Sequence, residues 1–262
     1  GLMDFSTVLY EKKDKVAYIT LNRPDKLNAL SATMFRELNQ VWEDFKRDDD
    51  SWVAVLTGAG DEAFCGGIVD YRDMMGATGS VMRRPEEFRW TARQMEIYKP
   101  VITAINGLCA GGGFHFVADS DIVICSDNAT FYDTHVENGT IASWEPIGLS
   151  RRVPLGMVLR MFLLGSSEVM TAHRAYEIGM VSEVVPLSRL RDHAAELAEK
   201  IAGKAPLAVR GTLEAVWRGL NVGLHDALFQ GHYVLTSNWG TEDLKEGIRA
   251  FQQKRQPKWK GK

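Results

Sequence analysis

The sequence predicts an α/β fold, and three observations carry the prediction. Short apolar runs at 16–21, 52–57, 101–105 and 121–125 read as buried strands, and helix-length segments separate them. Glycine-rich turns close several of these runs, at Gly58-Ala-Gly60 and at Gly111-Gly-Gly113. Strands that alternate with helices imply parallel crossovers, with a sheet covered by helices.

Each element has a local reason. Residues 16–21 form a strand, and Asn22-Arg23-Pro24-Asp25 turns the chain. Ser31 is placed to cap a helix whose apolar residues Phe35, Leu38, Val41, Trp42 and Phe45 recur at helical spacing. After the strand at 52–57 and its glycine loop, the stretch around Gly76 to Pro85 has the composition of a mobile segment. The strand at 101–105 runs through the glycine triplet into a short helix, followed by the strand at 121–125. Beyond Pro146 the pattern changes to a capped short helix at 171–179, a strand at 181–185 and near-continuous helical periodicity from Ser188. The expected division is a core at 1–195 that carries the active site and a helical, oligomer-forming region at 196–262. In the last two helices, 224–239 and 242–255, apolar residues fall on more than one face, which suits a partner subunit.

Bulk composition narrows the function classes. The 262 residues carry 31 Lys and Arg against 34 Asp and Glu, a net charge of −3, so no overall basic field favours nucleic acid. No apolar run approaches the roughly 20 residues of a membrane span. Cys65, Cys109 and Cys125 are odd in number and widely spaced in apolar surroundings, which suggests neither a disulfide framework nor a metal site. The opening residues have neither a secretory nor a transit pattern, so the expectation is a cytoplasmic protein with no nucleic-acid or membrane partner.

The glycine triplet is the most informative feature. At a helix entry it leaves backbone N–H groups uncovered by side chains and unpaired within the helix, at the positive end of its dipole. No Lys-Ser/Thr follows at Walker spacing, and the glycines are contiguous, so an oxyanion hole fits better than a phosphate cradle.

Four blocks carry a resemblance over nearly the whole chain: Ile19-Thr-Leu-Asn-Arg-Pro-Asp-Lys-Leu-Asn-Ala-Leu30; Val55-Leu-Thr-Gly-Ala-Gly60 with Phe64-Cys-Gly-Gly-Ile-Val-Asp70; Lys99-Pro-Val-Ile-Thr-Ala-Ile-Asn-Gly-Leu-Cys-Ala-Gly-Gly-Gly113; and Glu246-Gly-Ile-Arg-Ala-Phe-Gln-Gln-Lys-Arg255. In this order and spacing they resemble the crotonase, or enoyl-CoA hydratase/isomerase, superfamily. The resemblance implies a ββα spiral core with a C-terminal helical subdomain that drives a homotrimer or a dimer of trimers. It implies an acyl-CoA substrate, with coenzyme A part of that substrate and neither a separate cofactor nor a metal. It places the two oxyanion-hole amides on Ile68 and Gly112. Lys26, Leu27 and Ala29 resemble the segment bordering the adenine end of CoA, with Lys26 a partner for a phosphate. Gly66, Gly67, Asp70, Tyr71 and Trp144 complete the expected substrate surroundings, Trp144 either as core or as a floor of the acyl pocket.

The chain departs from the family at the acid–base positions. Hydratases of the superfamily carry one carboxylate two residues after the glycine triplet and a second on the following strand-loop; here those positions hold His115 and His135. A register two residues different would bring Glu137 into the site instead. Histidine performs acid–base chemistry near neutral pH but does not supply the same negative charge. Glu145 stands where it could orient His135 by base–orienter logic, and Asp133 is a further acid near the cleft. Three readings remain open from sequence: a hydratase/isomerase-type enzyme with His115 and His135 moving protons, a carbon–carbon bond hydrolase of β-diketones using His135 and Glu145, and an acyl-CoA binder without activity. His173, His193, His225 and His232 lack metal-like pairing and are assigned no chemistry.

Overall fold

The computed structural model describes residues 5–68 and 89–262 and confirms the α/β class. Two sheets form the core. The larger has the order β1 (Val8–Lys13), β2 (Val16–Leu21), β3 (Val53–Gly58), β5 (Val101–Ile105), β7 (Ile122–Ser126), β10 (Glu183–Val185). Only β1–β2 is antiparallel; every later pair in this sheet is parallel. The smaller sheet is β4 (Ala63–Cys65), β6 (Leu108–Ala110), β8 (Thr130–Tyr132), β9 (Met170–Thr171), parallel until its last pair. Successive turns of the chain thus add one strand to each sheet, which is the ββα spiral.

Side-chain alternation explains the layering. In β3, Val53 and Val55 face α6 (Leu187–Ala202), while Ala54 and Leu56 face the interior between the sheets. On its inner face α6 buries Leu190, Ala194 and Ala198. The boundary expected at residue 195 falls inside this unbroken helix, because a helix cannot be divided while one stripe of it covers a sheet. Ahead of α1 (Ala32–Arg47), the Ser31 hydroxyl accepts from the Met34 amide, and the predicted residues Phe35, Leu38, Val41, Trp42 and Phe45 are buried. Thr171 likewise caps α5 (Ala172–Glu177).

Five strands escaped the sequence reading: β1, of which only Val8 is fully buried, and the short β4, β6, β8 and β9. β6 lies between the strand at 101–105 and the glycine triplet, and β4 lies in the loop after β3; three residues are too few to show a period. The triplet itself forms a 3-10 turn, and α2 (Phe114–Asp119) begins after it rather than at it. Gly107 shows why the chain turns so tightly here: a Cβ at that position would lie 2.3 Å from the Glu62 carbonyl oxygen. The segment around Gly76 to Pro85 lies outside the described residues.

After α3 (Trp144–Leu149) and α4 (Leu155–Leu164), the C-terminal region comprises α7 (Pro206–Gly219), α8 (Leu224–Ser237) and α9 (Glu242–Gln252). Helix α8 has no fully buried residue and exposes Leu224, Leu228, Phe229 and Tyr233. The three cysteines are buried thiols, and burial pushes Cys65 and Cys125 up to about 12. No helix among the described residues is long and apolar enough to cross a membrane.

Candidate active site

The smaller sheet brings two loops together. Gly67, at the end of the β4 loop, would place a Cβ 3.4 Å from the Ala110 carbonyl oxygen, and Gly112 would place one 3.5 Å from Ile68 Cγ1 and 2.8 Å from Leu30 Cδ1. These are ordinary contacts apart from the movable Leu30 side chain; the tight backbone approach is at Gly113, where a Cβ would lie 3.0 Å from the Cys65 carbonyl oxygen. Gly67 (φ +96°) and Gly111 (φ +48°) also adopt left-handed backbone conformations.

Hydrogen bonding decides which amides are available. Leu30 forms a parallel bridge with Ile68 and donates its N–H to the Gly67 carbonyl. In such a bridge one residue bonds to both neighbours of its partner, so the backbone of Ile68 itself faces away. Gly112 stands in the first turn after β6, where N–H groups lack an intrahelical acceptor. Neither N–H has an acceptor among the described residues. Two buried asparagines that the sequence reading passed over hold the loop leading to Ile68: Asn28 Nδ2 donates to the Ala59 and Ala63 carbonyls, and Asn106 bonds to Gly58, Gly60 and Ala63.

The segment resembling the CoA border abuts this loop. Leu27 and Lys26 are exposed, and the Leu27 carbonyl accepts from the Gly66 amide. Ala29 is fully buried and its carbonyl receives Arg23 Nη1, so its side chain is packed away. Asp70 and Tyr71 lie outside the described residues.

Four titratable side chains form a linear cluster. Asp133 is fully buried and grips His135 twice: Oδ2 accepts the His135 amide at 2.8 Å and Oδ1 lies 2.7 Å from Nδ1. Glu145, in the first turn of α3 and 5% exposed, places Oε1 3.7 Å from His135 Nε2 and 3.1 Å from His115 Nε2. His115, on α2, is also buried, anchored there by the packing of Phe114 against Phe131 and Phe162.

This geometry corrects the sequence reading in one respect. The group that orients His135 is Asp133, and Glu145 lies between the two imidazoles. The signal was present, because an Asp two residues before a His can accept that residue's amide in a local turn and so aim its carboxylate at the ring. The alternative with Glu137 in the site does not hold: Glu137 is exposed, and Oε1 accepts from both the amide and the hydroxyl of Ser166. His135, next to Gly111, is the residue at the glycine loop.

Charges are set by these contacts. The hydrogen bond to Asp133 holds the His135 imidazole above its ordinary value, with Glu145 adding to it against the opposing effect of burial. Burial pushes Glu145 upward, but the adjacent His115 and then His135 outweigh it, so its carboxyl titrates below the usual range. Behind His115 and Trp144 lies a cavity of about 660 Å³, walled by Tyr98, Ile147 and Trp217 and bordered by Arg93 and Asp119. Trp144 is part of that wall and 37% exposed, not core. Among the described residues no group of three or more His, Cys, Asp or Glu is arranged to hold a metal.

The model of the enoyl-CoA hydratase/isomerase family matches residues 11–262. The chain belongs to that family. It is 37% identical over 264 residues to the (E)-benzylidenesuccinyl-CoA hydratase of Thauera aromatica, spanning 97% of this chain and 99% of that protein. It is 34% identical to the short-chain-enoyl-CoA hydratase of Clostridium acetobutylicum, with 97% of each covered. An enoyl-CoA hydratase/isomerase structure from Mycobacterium paratuberculosis superimposes with a TM-score of 0.90 at 43% identity, covering 98% of this chain and 99% of that one. This enoyl-CoA hydratase/isomerase-type protein is therefore of the crotonase superfamily in both sequence and fold.

Proposed function

We propose that this member of the family adds water to, or removes it from, an acyl-CoA thioester, with Ile68 and Gly112 as the oxyanion hole and His135 and Glu145 as the acid–base pair. The observation that carries the proposal is the opposed displacement of two neighbouring groups: His135 is favoured as a cation and Glu145 as an anion at 3.7 Å. Neighbouring groups with pKa values pushed apart can divide the acid and base roles. An oxygen about 2.8 Å from each of two atoms so separated is sterically allowed, so one water can touch both.

In the hydration direction Glu145 takes a proton from this water as its oxygen bonds to the β-carbon. The displaced π electrons pass through the α-carbon to the thioester oxygen, and the two amides hold the enolate charge. Each such donor is worth about 3 kcal/mol in the transition state. The enolate collapses by taking the Nε2 proton of His135 at the α-carbon, and Glu145 returns its proton to His135. The protein ends as it began. Lys26 contributes charge to the CoA phosphate end, and the cavity beyond Trp144 receives the acyl group. The exposed apolar face of α8 supports assembly with further copies, as a homotrimer or dimer of trimers, and our reading of its location is the cytoplasm.

A second reading is favoured by the Asp133–His135 pair, which has the base–orienter form of hydrolytic sites. There neutral His135 activates water against the carbonyl of a β-diketone, and a carbon–carbon bond breaks with an enolate leaving. The two readings require opposite protonation states of one imidazole. Incubation with crotonyl-CoA, a ring-bearing 2-enoyl-CoA and a cyclic β-diketone separates them. Turnover of an enoyl thioester, lost in His135→Ala and Glu145→Ala, is expected; turnover of the diketone alone replaces the first reading with the second. CoA-dependent thermal stabilisation without turnover of any of the three leaves a binder.

A further inference from the structure

Resting on the reading of the cavity as the seat of the acyl group, the geometry points to Trp217 as the residue that limits how large an acyl group this protein accepts. Trp217 belongs to α7, in the region that the sequence assigns to assembly rather than to substrate. With Leu220 and Asn221 it is what that region adds to the cavity lining; the other described walls are α2, α3 and the segment Arg93 to Tyr98.

The indole is fixed by its edge and by its face. Its Nε1–H donates to Asp121 Oδ1 at 2.7 Å, and the Arg93 guanidinium lies over the ring, 4.5 Å from its centroid. Arg93 Nη2 reaches the same Asp121 oxygen at 2.9 Å, so one carboxylate holds both the ring and the cation that covers it. Asp121 is anchored in turn, because Oδ2 accepts the Val101 amide at 2.8 Å where β5 begins. Arg93 is pinned again by the Ile97 carbonyl at 3.1 Å and by the Tyr98 ring at 4.9 Å. The two ionic side chains are only 8% and 11% exposed, so little water competes for these bonds.

A wall held in this way discriminates by size. Turning the indole out of the cavity would leave a buried carboxylate short of a donor and strip the ring from the guanidinium. Ile147 and Leu220, exposed apolar residues of the same lining, have no polar atom to tether them and can yield. An acyl group that overfills the space therefore meets its fixed limit at Trp217.

The test measures the binding of butanoyl-, octanoyl- and dodecanoyl-CoA to the full chain by calorimetry, in the wild type, Trp217→Ala and Trp217→Phe. These saturated thioesters cannot be hydrated, so binding is read apart from turnover. In the wild type the gain in affinity with chain length should stop before dodecanoyl. In Trp217→Ala the ratio of dodecanoyl to butanoyl affinity should rise by about tenfold or more, the scale on which an apolar pocket discriminates methylenes. Trp217→Phe, which keeps a ring but loses the N–H tether, should lie between; Trp217→Leu replaces Trp217→Ala if that variant does not fold. A Trp217 that only seats α7 on the core would weaken all three thioesters by a common factor, and that result overturns the inference. An unchanged ratio overturns it too, as does wild-type affinity that climbs steadily to dodecanoyl. Binding of none of the three removes the acyl-CoA reading and the limit together. The expected change in ratio without turnover of any enoyl-CoA would count against the proposed reaction and not against Trp217.

Discussion

The glycine loops and the cluster of titratable side chains are adjacent, yet they are built in opposite ways. The loops present main-chain groups, and their course is set by glycines in left-handed backbone conformations, Gly67 and Gly111. The cluster presents side chains from β8's loop, α2 and α3, held by carboxylate–imidazole contacts between residues up to 30 positions apart. A backbone device tolerates changes in the side chains around it, whereas a side-chain device can be refitted by single substitutions. The chain fits that distinction, since it keeps the glycine loops and has imidazoles where the resemblance leads one to expect carboxylates.

Removing the cluster should have the largest effect. His135→Ala is expected to lower kcat by a factor of roughly 10² to 10⁴, the usual worth of positioned acid–base catalysis, and also to lower the melting temperature because the fully buried Asp133 carboxylate loses its ring partner. A loss confined to KM would show that His135 only lines the site. Asp133→Asn should have a smaller effect on kcat and should lower the His135 pKa, because the carboxylate's hydrogen bond is what raises it. Nitrogen-15 titration of His135 checks the direction.

The two roles also fix the sign of the pH dependence. Glu145 must be ionised and is lost as pH falls through its lowered value; His135 must be protonated and is lost as pH rises through its raised value. A bell-shaped kcat/KM profile with its alkaline limb above about 6.5 is expected. Activity that only rises through that limb would favour neutral His135 as the base, hence the hydrolytic reading.

On the backbone side, Gly112→Ala puts a Cβ 2.8 Å from Leu30 Cδ1, the end of a movable side chain, whereas Gly107→Ala meets the Glu62 carbonyl. The first should weaken activity more than stability. The second should cost stability, about 1–3 kcal/mol as for other overpacked sites, measured by denaturant unfolding. Equal effects of both on activity and stability would erase the distinction between catalytic loop and scaffold. The smallest expected effect lies far from the site, at Glu37, whose carboxylate accepts the amides and hydroxyls of Ser6 and Thr7. These bonds outweigh its desolvation and lower its pKa. Its stabilisation is therefore present above the unfolded carboxylate value near 4.3 and lost as pH falls through the folded one. Glu37→Gln should flatten acid unfolding over that interval.

The two devices were also unequally legible in sequence. Contiguous glycines before a helix have few structural uses, so an oxyanion-hole candidate could be read from residue type, while Gly112 and the partner loop at Ile68 came from the family resemblance. Five of the ten strands among the described residues followed from periodicity; β1, mostly exposed, and the two- and three-residue strands β4, β6, β8 and β9 did not. The identities of His115, His135 and Glu145 were visible, but not their pairing. Which acid meets which ring depends on how α3 returns over α2, and no local pattern encodes that return. Asp133 was underrated because its grip on His135 is a turn geometry.

The central claim is most directly tested by a crystal structure of the full chain with a saturated acyl-CoA bound. The thioester oxygen should lie about 3 Å from both the Ile68 and Gly112 nitrogens, with the β-carbon facing His135 Nε2 and Glu145 Oε1. A thioester bound elsewhere, or an amide of the pair donating to the protein in that complex, would contradict it.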